Sequence, residues 1–250
     1  MRGIRWIILT FAFAMPPISW AFAQTEIGSE DWHYEVSKAI ALSLAETTAW
    51  EYALPYLQEI GPKTTDWNLL LFQAKVEQRR GDIAAAKVSI QRALASHDKN
   101  PRILVSAGNI ALDDGRPQDA VDYFERARQI QPENPAILSP LGRLRCARRE
   151  WAMCVELYET LIHHATPTSE VCVRLATAYE NLGDLENAEK YLKRNLAIHP
   201  NRAIALIPLE RFYRAHQRTE RADAVARELK KLEYHDGNRR DLRALRPSSR

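Results

Sequence analysis

The chain has 250 residues and 46% of them are apolar, so it can bury a core and is not disordered by composition. Nine Gly and 13 Pro exclude collagen-like and low-complexity classes, and three Cys are too few for a disulfide-built scaffold. The net charge of +3 sits at the ends: Arg2 and Arg5 fall in residues 1–23, and five Arg against Asp241 fall in 237–250. That leaves about −3 for the body and gives no ground for nucleic-acid binding.

Residues 1–23 have the order of a secretory signal peptide. Arg2 and Arg5 precede an apolar run from Trp6 to Met15, Pro16-Pro17 breaks it, and Ala21-Phe22-Ala23 supplies small residues before Gln24. The alternative is an uncleaved membrane anchor. The uninterrupted run is about ten residues, whereas a spanning helix needs about 20. Cleavage is expected near Ala23/Gln24, with export to an oxidising compartment such as a bacterial periplasm. No Cys follows the run, so lipidation is not expected. A linker over 24–33 follows.

From residue 34 onward a 34-residue period runs through the chain. Gly81, Gly115 and Gly183 fall on it, with Arg149 at the missing place. Ala86, Ala120, Cys154, Ala188 and Ala222 form a small column, and Ile90, Phe124, Tyr158, Leu192 and Ala226 an apolar one. Leu70, Leu104, Leu138, Cys172 and Leu206 form another; Ala74, Gly108, Gly142 and Ala176 are small until Glu210 breaks the series. Within 101–134, Leu104, Ala107, Gly108 and Ala111 recur with helical spacing. Asp114-Gly115-Arg116-Pro117 then reads as a turn, and Ala120, Phe124 and Ala127 mark a second helix. Pro132 and Pro135 close that unit. Pro140 and Pro208 read as helix-start devices.

These columns resemble the tetratricopeptide repeat family, most closely at Leu175-Ala176, Tyr179, Gly183, Ala188, Leu192 and Pro200. The resemblance covers about 34–236, as units 34–66, 67–100, 101–134, 135–168, 169–202 and 203–236. It implies an all-α fold, a right-handed solenoid of about six helical hairpins, followed by a basic tail over 237–250. It also implies a concave face lined by the first helix of each hairpin. Carried over, that face holds Asn68, Phe72, Lys75 and Arg79, then Arg102, Val105, Ser106 and Asn109. Ser139, Arg143 and Cys146 follow, then Arg174, Thr177 and Glu180, then Ile207, Arg211 and Arg214. Seven of these 17 are basic and one is acidic, which suits an acidic or C-terminal peptide segment; solvated surface charge is the plainer alternative. The Lys/Asn set with which some family members grip a terminal carboxylate is broken here, by Pro140 and Glu170.

Cys154 and Cys172 stand in core columns and Cys146 at a groove position; any two could be joined, and the spacing does not say which. Leu141-Gly142-Arg143-Leu144-Arg145-Cys146 resembles a stretch of the type IV pilus assembly proteins called pilotins. In that family a second Cys would fall at Ala178, and a lipidated Cys is missing here too. No phosphate loop, nucleophile elbow or His-Glu-x-x-His occurs. His163-His164 sits at a helix end where neighbours diverge by about 100°, which does not suit a shared metal. The Arg-rich tail suits an anionic membrane surface or peptidoglycan, or a solubilising end. The reading is therefore a non-catalytic exported scaffold without cofactor or metal, binding a protein or acidic peptide. A pilus or secretion biogenesis factor is the narrower alternative, and a redox protein or hydrolase using the Cys146 thiol the one of another class.

Overall fold

The structure, a computed structural model, describes residues 29–45, 50–200 and 202–236. The expected signal peptide at 1–23, most of the linker and the tail at 237–250 lie outside the described residues. Twelve α-helices, one 3-10 helix and no strand occur among the described residues, and none of these helices is long and apolar enough to cross a membrane. The chain divides into two compact units, the first ending at Ile130 and the second starting at Gln131.

The first unit holds α1 (Glu30–Ala45), a 3-10 turn (Trp50–Ala53), α2 (Leu54–Ile60), α3 (Trp67–Arg79), α4 (Ile83–Ser96), α5 (Pro101–Asp113) and α6 (Pro117–Ile130). Each odd helix packs on the even helix after it, and α4 packs on α5. The irregular first hairpin expected over 34–66 begins at Glu30, and its second helix is only seven residues long. The second unit holds α7 (Pro135–Ala147), α8 (Trp151–His164), α9 (Ser169–Asn181), α10 (Leu185–Ile198), α11 (Ala203–Ala215) and α12 (Thr219–Asp236), paired in the same way.

Local chemistry starts these helices. The residues before α3, α5, α7 and α9 are Asp66, Asn100, Asn134 and Thr168, on the 34-residue period. Each side chain accepts a backbone N–H of its own helix's first turn. The turns inside the hairpins use a left-handed residue: Gly81, Gly115 and Gly183 have φ of 80°, 70° and 83°. Arg149 and Gln217 hold the same geometry at φ 59° and 56° although both carry a Cβ.

Packing then closes each hairpin. Ala86, Ala120, Cys154, Ala188 and Ala222, the small column, are all fully buried, and so are Phe124 and Tyr158. Pro140 and Pro208 do not start helices as expected. Each is the sixth residue of its helix, beyond the first turn where a missing N–H costs nothing. In α11 the carbonyl that Pro208 leaves without a donor is that of Ile204. It accepts instead from the side-chain amide of Asn195, at 3.4 Å, and Asn195 is wholly buried.

Candidate functional site

Within each unit the first helices lie side by side. In the first, α3 touches α1 and α5; in the second, α9 touches α7 and α11. The second helices pack chiefly on first helices. The first helices therefore form a continuous wall in each unit, which is where the expected docking residues fall.

In the first unit Lys75, Arg79 and Arg102 share one patch of this wall. The surrounding protein pushes the Lys75 ammonium below its ordinary value, and repulsion from Arg102 and Arg79 adds to that. Arg102 also stacks over the Trp67 ring at 5.7 Å. Asn68 is exposed and Asn109 half-buried. Phe72 does not line the wall as expected: it is 9% exposed and packs with Leu57, Ile60 and Leu69 in the core of the first hairpins. Ser106 is buried as well.

In the second unit the wall carries less free charge than the sequence count implies. Arg174 donates to Glu170 at 2.8 Å, and Arg214 is held by Glu210 and lies 3.6 Å from Asp223. These acids stand one turn away on the same helices or on the facing one, so a tally of wall positions alone does not see them. Arg143 and Arg211 are exposed and form no ion pair with a described residue. Thr177 spends its hydroxyl on the Val173 carbonyl of its own helix. The Tyr158 phenol, behind the wall, is pushed up to about 12. Burial is the main cause; Arg174 and Arg143 act against it and Glu170 with it, which gathers those three around one ring.

Cys146 is not a thiol on the wall. It is buried and bonded to Cys154, with the Cα atoms 5.2 Å apart, so the disulfide ties α7 to α8 across the Arg149 turn. Cys154 is accordingly half of a bridge and not a free core thiol, and only Cys172 remains free and buried. A hydrolase or redox role for a free Cys146 thiol does not fit this arrangement. His163 and His164 are exposed at the end of α8, with His164 3.6 Å from Glu133. No cluster of three or more His, Cys, Asp or Glu suited to a metal occurs among the described residues.

The wall also contains a feature that charge counting passed over. Between α9 and α11 lies a cavity of about 310 Å³, lined by Val173, Ala203, Ile204, Ile207 and Pro208 together with Ser169, Glu170 and Arg211.

Family models described as tetratricopeptide repeat match residues 71–135, 111–171 and 169–202. Among solved structures the chain is similar to the protein MamA, at TM-score 0.60 and 16% identity over 66% of this chain and 96% of that one. It is similar to MamA from Desulfovibrio magneticus RS-1 at TM-score 0.61 and 16% identity, covering 70% and 97%. A tetratricopeptide repeat protein from Parabacteroides merdae gives TM-score 0.62 and 16% identity, covering 80% and 79%. At that identity the likeness is one of fold.

Proposed function

We propose, from the premise that this chain belongs to the tetratricopeptide repeat family, that it is an exported, non-catalytic scaffold. It holds a protein or acidic peptide on its wall of first helices, in the service of envelope assembly. The observation that carries the reading is the set of wall cations that no described carboxylate neutralises: Lys75 and Arg102 in one unit, Arg143 and Arg211 in the other. Holding like charges together is costly, and a bound acidic segment relieves it through charge-assisted hydrogen bonds. A helical hairpin array offers many such positions along its first helices.

The test is capture of a partner from envelope extract by the wild-type protein and by a variant with Arg143, Arg174 and Arg211 all changed to Glu. The scaffold reading expects the variant to fold, by circular dichroism, and to lose the captured partner. Undiminished capture by the folded variant refutes docking on the second unit's wall, and undiminished capture by a folded Lys75→Glu, Arg102→Glu variant refutes it on the first. The stretch Leu141–Cys146 favours a narrower reading, a factor for type IV pili or a similar secretion machine. Deletion that abolishes piliation supports it, and normal pili reject it.

A further inference from the structure

We infer that the cavity between α9 and α11 is an anchor pocket for one aliphatic side chain of an extended peptide, whose neighbouring acidic residue meets Arg211. This rests on the reading of the wall as a docking surface and names what that surface would take. Three observations converge. First, the cavity floor is apolar: Val173, Ile204, Ile207 and Pro208 line it, and Ile204 is 50% exposed. A large apolar side chain left half in water beside a concavity is a surface that gains from being covered. At about 310 Å³ the space lies at the bottom of the range of small-molecule pockets, roughly 300–1,000 Å³. It has room for an aliphatic side chain.

Second, Ser169 is only 8% exposed, yet its hydroxyl oxygen has no hydrogen-bond partner. It sits at the edge of this cavity, at the start of α9. A buried hydroxyl without a partner is costly, and an extended peptide brings backbone N–H and C=O groups that would satisfy it. An aliphatic molecule without polar atoms would leave that hydroxyl unsatisfied. Third, the charge at the edge is one-sided. Glu170 is taken up by Arg174 at 2.8 Å, while Arg211 has no ion partner among the described residues. The open charge is thus positive and the complementary neighbour is a carboxylate.

Pro208 lines the cavity from within α11, and the Ile204 carbonyl that it leaves without a helical donor is taken by Asn195.

The test uses the full chain and a fluorescein-labelled octapeptide of Gly and Ser carrying a central Asp-Leu-Asp, followed by fluorescence anisotropy. We expect saturable binding that weakens at least tenfold when the peptide Leu becomes Ala, and at least tenfold in the Ile204→Glu protein. Replacing the peptide Asp residues by Asn, or Arg211→Gln, weakens it several-fold and removes most of its salt dependence. Ser169→Ala weakens it a few-fold. Ile204 is half-exposed, so the charge should not unfold the protein, and the peptide-side changes cannot. No saturation at millimolar peptide, or affinity indifferent to both the Leu and the Ile204 changes, overturns the anchor. If the triple arginine variant still loses its captured partner in that case, docking on the wall survives and only the anchor falls. Binding by free aliphatic molecules as strong as by the peptide also overturns it.

Discussion

Gly108 lies directly beneath the ring of Phe124: a Cβ built on Gly108 would stand 2.8 Å from two ring carbons. Gly142 and Tyr158 repeat the relation 34 residues on, at 3.0 Å. Where the first-helix position is Ala, the second-helix position is smaller, as in Ala74 with Ile90 and Ala176 with Leu192, and Glu210 faces the register of Ala226. The pairs exchange volume across the hairpin. Gly108→Ala should therefore cost up to about 2 kcal/mol, because overpacking costs about 1–3 and better helix propensity returns about 1. In a Phe124→Leu background the same change should stabilise by about 0.5–1 kcal/mol. Denaturant titration of the four proteins checks this reversal of sign.

Both of those columns are legible in the sequence, since the period brings them out. Their coupling is not, because it depends on which residue of one helix lies over which of the next, a matter of three-dimensional register. The same limit explains the site. Lys75, Arg143 and Arg211 follow from unit position alone. Phe72 does not, because an aromatic at a wall position turns inward where the neighbouring hairpin is short and leaves room. The cavity was within reach: Val173, Ile204 and Ile207 occupy wall positions of their units, and Ile207 stands among the residues expected on the wall, but a reading that weighs charge gives apolar residues there no role.

Asn195 and Pro208 form a coupled pair through the Ile204 carbonyl. Asn195→Leu should cost about 1 kcal/mol, because it removes the donor from that carbonyl. Pro208→Ala restores a helical donor to the same carbonyl, so in that background Asn195→Leu should cost less by about 1 kcal/mol. A double-mutant cycle measures the difference, and strict additivity would mean the two do not share an acceptor.

Of the two hairpins whose turns hold a left-handed residue other than glycine, at Arg149 and Gln217, the first carries the disulfide. Arg149 holds φ 59°, a conformation that costs a residue with a Cβ about 1–2 kcal/mol. Cys146 and Cys154, eight residues apart, close a loop around it that constrains the unfolded chain by about 2.5 kcal/mol on the chain-entropy account. Reduction should lower Tm by several degrees, and Arg149→Gly should recover about 0.5–1 kcal/mol of it. Calorimetry with and without reductant reads both.

Glu189 is buried under Lys193, Tyr213, Arg218 and Arg221. Burial alone would raise its pKa, but the hydrogen bonds and charges of Lys193, Tyr213 and Arg218 outweigh it and hold the carboxyl below its ordinary value. A folded-state value below the unfolded one means stability that is present above the unfolded value and lost as pH falls through the folded one. Thermal melts between neutral and strongly acidic pH should therefore show a steep acid limb, flattened in Glu189→Gln. An unchanged limb would assign acid sensitivity to other carboxylates.

The account stands on docking by first helices. Photo-crosslinking in cells tests that most directly, with benzoyl-phenylalanine placed singly at Lys75, Arg143 or Ile204 on first helices, and at Val88 or Met153 on exposed faces of second helices. Adducts of one discrete size from the first three positions and none from the last two are the predicted result. Adducts from Val88 or Met153 alone would place the partner on the opposite helices and contradict it.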